Sequence, residues 1–126
     1  MFHLTVRDHV MIAHSLPHPS FGPAQSLHGA TYVVELTLWR ETLTPTSIVI
    51  DIGEAAQVLQ QSLSDLNYRN LDEHPDLVGK LTTTEVVAEL VAERVANSLA
   101  DRGLSSLDVT LREHPDAWAG YTKTLD

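Results

Sequence analysis

The chain has 126 residues, with 8 lysines and arginines against 17 aspartates and glutamates, for a formal net charge of −9. This acidic balance argues against nucleic-acid binding, which depends on basic groups that release counterions from phosphates. The sequence contains no cysteine, which excludes disulfide bonds, cysteine-ligated metals and a thiol nucleophile. Length and composition favour one globular domain over residues 1–126.

The sequence predicts neither a membrane protein nor a secreted one. No apolar run approaches the roughly 20 residues that a membrane-spanning helix needs. The N-terminal stretch lacks the basic region and the continuous apolar region of a secretory signal. We therefore expect a cytoplasmic location.

Alternating apolar residues predict two strands in the N-terminal third of the chain. In residues 2–16, one face of the predicted strand carries Val10, Ile12, His14 and Leu16. A loop rich in proline and glycine follows over residues 17–23. Residues 30–40 then form a half-buried antiparallel strand, with an apolar face made by Tyr32, Val34, Leu36 and Leu38. A short third strand is predicted over residues 47–52.

Helical periodicity predicts two helices in the middle of the chain. The first covers residues 53–66, with Asp51 as its cap and an apolar stripe at Ala56, Leu59, Leu63 and Leu66. The second begins at residues 82–85 (TTTE), which have the Thr-x-x-Glu form of a capping box. Its apolar stripe comprises Val87, Leu90, Val91 and Val95. Gly103 is predicted to form its left-handed C-terminal cap.

Two further strands are predicted at the C-terminal end, over residues 107–113 and 119–125. The full order is then β-β-(β)-α-α-β-β, with the helices grouped in the middle. This order favours an α+β domain in which two helices cover one face of an antiparallel sheet.

Three polar residues occupy positions where the strand pattern predicts apolar ones: His14, His28 and Glu113. A carboxylate on the dry face of a sheet is costly unless a donor pairs with it or it lies at a wet rim. From the pattern alone, the simplest interpretation is that Glu113 marks a strand end in water. Each histidine, taken alone, is best interpreted as a structural imidazole.

Five segments, in the correct order, resemble the 6-pyruvoyltetrahydropterin synthase and 6-carboxytetrahydropterin synthase family. No single motif is strong, but the resemblance extends over nearly the whole chain. The segments are residues 13–16 (AHSL), 27–32 (LHGATY), 66–73 (LNYRNLDE), 83–85 (TTE), and 109–113 (VTLRE) with Tyr121.

The resemblance implies the tunnelling fold, in which four-stranded sheets of three subunits close a barrel and two trimers stack as a homohexamer. Pockets in that family lie between subunits. It also implies a zinc ion bound by three histidines. Assembly would close the sheet edges that a small sheet otherwise exposes.

The zinc site is where the chain departs from the family first. Two of the family's histidines match His14 and His28, but the third position is Ala30. A catalytic zinc site normally keeps three protein ligands, and two imidazoles hold zinc poorly. His18 lies in a proline-rich loop without fixed geometry. We therefore expect no zinc cofactor.

The family's catalytic residues are also replaced. Its cysteine falls in residues 23–27 (PAQSL), with Ala24 at the degenerate position, and its Asp-His pair matches Asn67 and Tyr68. An amide has no titratable proton, and a phenol with a pKa near 10 is a poor base at neutral pH. The synthase reaction is therefore not expected.

The residues that resemble the family's ring contacts are retained. A pterin presents a ring N–H and an exocyclic amine side by side, and a carboxylate can accept both hydrogen bonds. The family's carboxylate matches Glu113, and its helix-start residues match Thr83, Thr84 and Glu85. The capping box offers a second explanation for Glu85.

These departures predict a synthase-like protein that binds a pterin-like ligand without the synthase reaction. One alternative is an enzyme of different, metal-independent chemistry on a similar ring, of aldolase or hydrolase type. Its candidate proton carriers are Tyr68, His74 and His114. A second alternative is a structural hexamer with a relic pocket.

Overall fold

The computed structural model describes residues 1–125. They form five strands, two α-helices and two short 3₁₀ segments. The strands are β1 (Phe2–His14), β2 (His28–Arg40), β3 (Arg69–Asn70), β4 (Ser106–His114) and β5 (Ala117–Thr124). The α-helices are α1 (Ile52–Leu63) and α2 (Thr84–Ser98), and the 3₁₀ segments are Pro19–Gln25 and Leu71–Glu73.

The sheet has the strand order β3-β1-β2-β4-β5. The four long strands are antiparallel neighbours, which confirms the predicted α+β class. The two-residue strand β3 adds a fifth, parallel member beside Ile12 and Ala13 at the end of β1. Two residues are too few for an alternating pattern to be visible in the sequence.

One face of the sheet, the core face, is buried beneath the two helices. The predicted alternation in β2 is confirmed, because its four apolar positions are fully buried. Every second residue is likewise buried in the neighbouring strands, as expected when side chains alternate between faces. Buried members from β1 and β4 are Val10, Ile12, His14, Leu107, Val109 and Leu111.

Helix α1 is capped as predicted, since the Glu54 N–H donates to Asp51 Oδ2 at 2.9 Å. The predicted apolar stripe is confirmed at Leu59, Leu63 and Leu66 and is wrong at Ala56. Ala56 is exposed, and the buried face comprises Ala55, Val58, Leu59, Ser62 and Leu63. Two adjacent alanines fit either phase equally well, so the pattern did not distinguish them. Leu66 is buried as expected, but it follows the end of the helix.

The N-terminal cap of α2 is Thr83 rather than Thr82. Thr83 Oγ1 accepts from the Val86 N–H at 3.3 Å, so the third helical residue is Val86 and the predicted capping box does not form. Thr82 is fully buried and bonds elsewhere.

Gly103 is not the C-terminal cap of α2, because the helix already ends at Ser98. Its φ of +74° does require the left-handed region. A Cβ at this position would also lie 2.9 Å from Arg40 Nη1. The glycine therefore serves the turn into β4 and the close approach of Arg40.

The predicted strand over residues 47–52 was wrong. The backbone closes a local turn instead, with the Ser47 N–H donating to the Thr44 carbonyl at 2.8 Å and Thr44 N–H to the Ile48 carbonyl at 3.0 Å. Ser47 takes a φ of +65°, which a strand does not permit. Val49 and Ile50 are nevertheless buried in the core, which explains their apolar character.

The opposite face of the sheet is polar and carries a row of paired charges. Glu35 on β2 accepts from Arg7 Nη2 at 2.6 Å and from Arg112 Nε at 2.8 Å. The hydrogen bond from Arg7, followed by that from Arg112, lowers the pKa of Glu35 despite its partial burial. The Arg112 guanidinium also lies 4.1 Å from the ring centre of Trp118.

Within residues 1–125, neither helix is long and apolar enough to cross a membrane.

The buried face of α1 can be tested by truncating one buried residue and its exposed neighbour. We expect Leu59→Ala to lower the free energy of unfolding by about 2–5 kcal/mol, because a buried leucine leaves a cavity. The next residue, Gln60, is exposed, so Gln60→Ala should change the free energy of unfolding by less than about 0.5 kcal/mol. Urea unfolding followed by circular dichroism measures both. Equal effects would contradict the assigned buried face.

Candidate functional site

The three polar residues of the core face meet at one end of the sheet. His14 ends β1 and lies directly opposite His28, the first residue of β2. Glu113 continues the buried stripe of β4 two residues beyond Leu111, next to the start of β2. Nitrogen and carboxylate atoms of these three side chains all lie within 4.8 Å of one another. We refer to them as the histidine–glutamate cluster.

His14 is held in one orientation by the loop before α2. Its ring is 1% exposed, and Nδ1 donates to the Thr82 carbonyl at 2.8 Å, with Thr82 Oγ1 at 3.1 Å. A carbonyl only accepts, so Nδ1 carries the proton and Nε2 is left as an acceptor in the neutral ring. Nε2 is buried and has no hydrogen-bond partner among the described residues. Burial lowers the pKa of His14, which favours the neutral form.

His28 repeats this arrangement at the surface side of the cluster. Its Nδ1 donates to the Ser26 carbonyl at 2.8 Å, and its half-buried ring lies 4.6 Å from that of His14, centre to centre. Both imidazoles are therefore anchored through Nδ1, and each leaves Nε2 as an acceptor.

Glu113 lies at the exposed rim of the cluster, as the strand-end interpretation predicted. It is nonetheless tied to α2, because Thr84 Oγ1 donates to Glu113 Oε2 at 3.2 Å. The predicted ring contacts are thus partly brought together: Thr84 touches Glu113, Thr83 caps the helix, and Glu85 is exposed.

Tyr32 adds a second buried polar atom without a partner. Its side chain is fully buried, and its hydroxyl makes no hydrogen bond to any described residue. Burial raises the pKa of Tyr32 to about 12. The nearby Thr84 hydroxyl lowers this pKa, and the carboxylates of Glu113 and Glu85 raise it. A neutral phenol here keeps its proton and can donate it to a ligand.

The third position of the histidine set that the resemblance implies offers no ligand. Ala30 is paired with Ile12 across β1 and β2, and it shares a face with His28 and Tyr32. Its methyl group cannot bind a metal. The three-histidine zinc set does not fit this chain, whereas two histidines with one carboxylate are in place.

The positions predicted as catalytic remnants have structural roles. Asn67 Oδ1 accepts from the Met11 N–H at 2.9 Å, and the Tyr68 N–H donates to the Met11 carbonyl at 2.6 Å. Both residues thus extend the pairing of β3 along the edge of β1. The Ala24 carbonyl accepts from the Leu16 N–H at 3.0 Å and closes the loop between β1 and β2. The Tyr68 side chain is 77% exposed, with a backbone φ of +60°.

The two other candidate proton carriers, His74 and His114, belong to the twice-repeated sequence Glu-His-Pro-Asp. Each forms the same turn: His74 Nδ1 accepts from the Asp76 N–H at 3.1 Å, and His114 Nδ1 from the Asp116 N–H at 3.1 Å. His74 Nε2 is also bonded to Asp65 at 2.8 Å. The repeat is thus a turn motif, and both nitrogens of His74 are engaged.

Asp72 supports the site and was not predicted from the sequence. Its Oδ2 accepts from the Ser15 N–H at 2.8 Å and from Ser15 Oγ at 2.6 Å, while Oδ1 accepts from Thr82 Oγ1 at 3.2 Å. It therefore links the end of β1 to the residue that orients His14. Thr82 was missed for a related reason, since the run of three threonines was interpreted only as a helix cap.

Comparison with known proteins agrees with this architecture. A sequence model of the 6-pyruvoyl tetrahydropterin synthase family matches residues 3–124. The chain belongs to this family. A curated relative, 6-carboxy-5,6,7,8-tetrahydropterin synthase of Bacillus subtilis (strain 168), is 25% identical over 95% of this chain and 84% of its own length.

Solved structures of family members show the same fold. The 6-pyruvoyl tetrahydropterin synthase of Caenorhabditis elegans superposes with a TM-score of 0.84 at 24% identity, covering 98% of this chain and 96% of the other. The enzyme of Plasmodium vivax gives a TM-score of 0.81 at 17% identity, covering 98% of each chain. The expected tunnelling fold of the single chain is therefore confirmed.

The supporting role of Asp72 can be measured. We expect Asp72→Ala to lower the free energy of unfolding by about 1.5–3 kcal/mol, because hydrogen bonds to a charged acceptor are lost. The neighbouring Glu73→Ala removes an exposed carboxylate from the same turn and should cost less than about 0.5 kcal/mol. Chemical denaturation of both variants provides the comparison, and equal stabilities would show that the link to Ser15 and Thr82 is unimportant.

Proposed function

We propose that this protein acts in the cytoplasm as a synthase-like binder of a pterin-like ligand, without catalysing the 6-pyruvoyltetrahydropterin synthase reaction. The observation that carries the proposal is Glu113, a carboxylate that ends a buried strand face and is held against Thr84 at the start of α2. The three-histidine zinc site of the synthases forms no part of it.

The chemistry of the ligand edge supports this role for Glu113. Two carboxylate oxygens can accept from two adjacent N–H donors through charge-assisted hydrogen bonds, which are stronger than neutral ones. The first amides of α2 have no intrahelical partners and can donate to a ligand carbonyl. Two buried polar atoms without partners, His14 Nε2 and the Tyr32 hydroxyl, lie at the same end of the sheet.

The replaced residues support the second half of the proposal. The chain holds no thiol. At the positions of the proton-transfer pair, the Asn67 side chain and the Tyr68 backbone are occupied by Met11 at the sheet edge. The family resemblance implies a cysteine and an Asp-His pair at these positions, and their replacement together supports a protein without the synthase reaction.

A bare ring fits the surface better than a triphosphate. Two of the basic side chains near the relevant segments are already paired, Arg112 with Glu35 at 2.8 Å and Lys123 with Glu93 at 3.2 Å. Phosphate binding usually requires clustered basic groups or a helix N-terminus, and the start of α2 is assigned here to the ring carbonyl. We therefore place the ligand among pterin-like rings without a phosphate chain.

Free sheet edges support the proposed homohexamer, a dimer of trimers. Within residues 1–125, β3 pairs with only two residues of β1, and β5 pairs with β4 alone. Long unpaired edges expose backbone donors and acceptors that a second chain can pair with. Glu113 at the rim of a single chain would then face a neighbouring subunit.

Ligand binding is tested by titrating the protein with oxidised and reduced pterin and following pterin fluorescence or heat release. We expect saturable binding, with Glu113→Ala weakening it at least about ten-fold, because a charge-assisted pair contributes about 1.5–3 kcal/mol. Glu89→Ala removes an exposed carboxylate from α2 and should bind as the wild type does. If wild type and Glu113→Ala bind equally poorly, the proposal is wrong.

The assembly is tested separately by light scattering on the purified protein. We expect a particle about six times the 13.9 kDa mass of the chain. The physical reason is that pairing of free edges within trimers satisfies backbone groups that are otherwise left to water. A monomer at micromolar concentration would contradict the hexamer. It would not decide whether the protein binds pterin, which the titration tests separately.

A further inference from the structure

We propose that His14, His28 and Glu113 form a divalent transition-metal site in which the carboxylate takes the place of a third histidine. This is a different ligand set from the three histidines that the family resemblance implies. It also reverses the expectation of no zinc, which rested on Ala30 at the third position and on the loop placement of His18, and which did not count Glu113 as a ligand.

The proximity of the three side chains is the first support. Their ligating atoms lie within 4.8 Å of one another, and no other such group of three or more occurs among residues 1–125. Ligands of a tetrahedral zinc ion, bound at about 2.0–2.2 Å, are about 3.4 Å apart. Each pair therefore has to close by no more than about 1.4 Å. Since His14 is buried, this closure would have to come from Glu113 and His28, which lie nearer to solvent.

The orientation of the histidines is the second, independent support. Each donates through Nδ1 to a backbone carbonyl, His14 to Thr82 and His28 to Ser26, both at 2.8 Å. Metal-binding histidines nearly always have such a partner on the nitrogen away from the metal, because it fixes the tautomer and the ring. The Nε2 atom of His14 is left buried and without a partner, and a metal ion would satisfy it.

The supporting residues extend one bond further. Thr82, which accepts from His14, itself donates to Asp72 at 3.2 Å, and Asp72 is fixed by Ser15. This series of hydrogen bonds fixes His14, the most buried of the three ligands. His28 and Glu113 lie nearer to solvent, where an ion can enter. Two histidines with one carboxylate suit zinc when four-coordinate, and also iron(II), manganese(II) or cobalt(II) in sites with open positions.

Holding a metal and holding a ligand edge are alternative uses of Glu113, because the carboxylate has only two oxygens. The metal proposal does not depend on pterin binding, and its test is made without pterin. A negative result here leaves the ring proposal standing, and the reverse also holds.

The test uses the full chain, stripped with a chelator, dialysed and titrated with Co²⁺ while its visible absorption is recorded. We expect one ion per chain, displaced by Zn²⁺. Glu113→Gln and His28→Ala should each weaken binding at least about ten-fold, since even a change in an outer partner costs 10–100-fold. His18→Ala is the matched control and should bind as the wild type does, because its Nδ1 is bonded to Ser20 outside the cluster.

Two results would overturn the proposal. One is a wild-type protein that takes up no stoichiometric Co²⁺ or Zn²⁺. The other is a Glu113→Gln protein that binds as tightly as the wild type, which would remove the carboxylate from the ligand set. The glutamine keeps the shape of the glutamate, and matching circular dichroism spectra establish that the variants are folded.

Discussion

The antiparallel register of β1, β2 and β4 is the constraint on which the rest of the structure depends. It sets His14 opposite His28, and it pairs Arg112 with Val33, so that Glu113 follows toward the same end of the sheet. Since side chains alternate strictly between faces, a slip of one residue would move all three to the polar face. The same register buries the apolar stripes beneath the helices, so that core and cluster form together.

The loop before α2 fixes the orientation of His14 within the cluster. Thr82 reaches His14 only because Thr83, and not Thr82, caps the helix. Asp72 then joins this loop to the end of β1 through Ser15. A cap, a buried imidazole and a carboxylate thus depend on one another, and none of them has an obvious replacement within the chain.

The four long strands and the existence of both helices could be predicted from the sequence, since long alternating or helical patterns report burial directly. The cluster could be predicted in part, because its members interrupt those patterns. Other features could not. Ala55 and Ala56 are equally apolar, so the pattern did not show which one is buried. Strand β3 has only two residues, and Val49 is buried without being in a strand. The bond from Asp72 to Thr82 joins residues whose spacing predicts no contact.

The left-handed backbone at Tyr68 has a consequence for how the chain can change. An aromatic residue with a φ of +60° is uncommon, and β-branched residues would be disfavoured there, but histidine is among the side chains that tolerate this region well. At the preceding position, an aspartate oxygen could accept from the Met11 N–H as the Asn67 oxygen does now. The backbone is therefore compatible with an Asp-His pair at these two positions, and introducing one would require side-chain replacements rather than a new backbone.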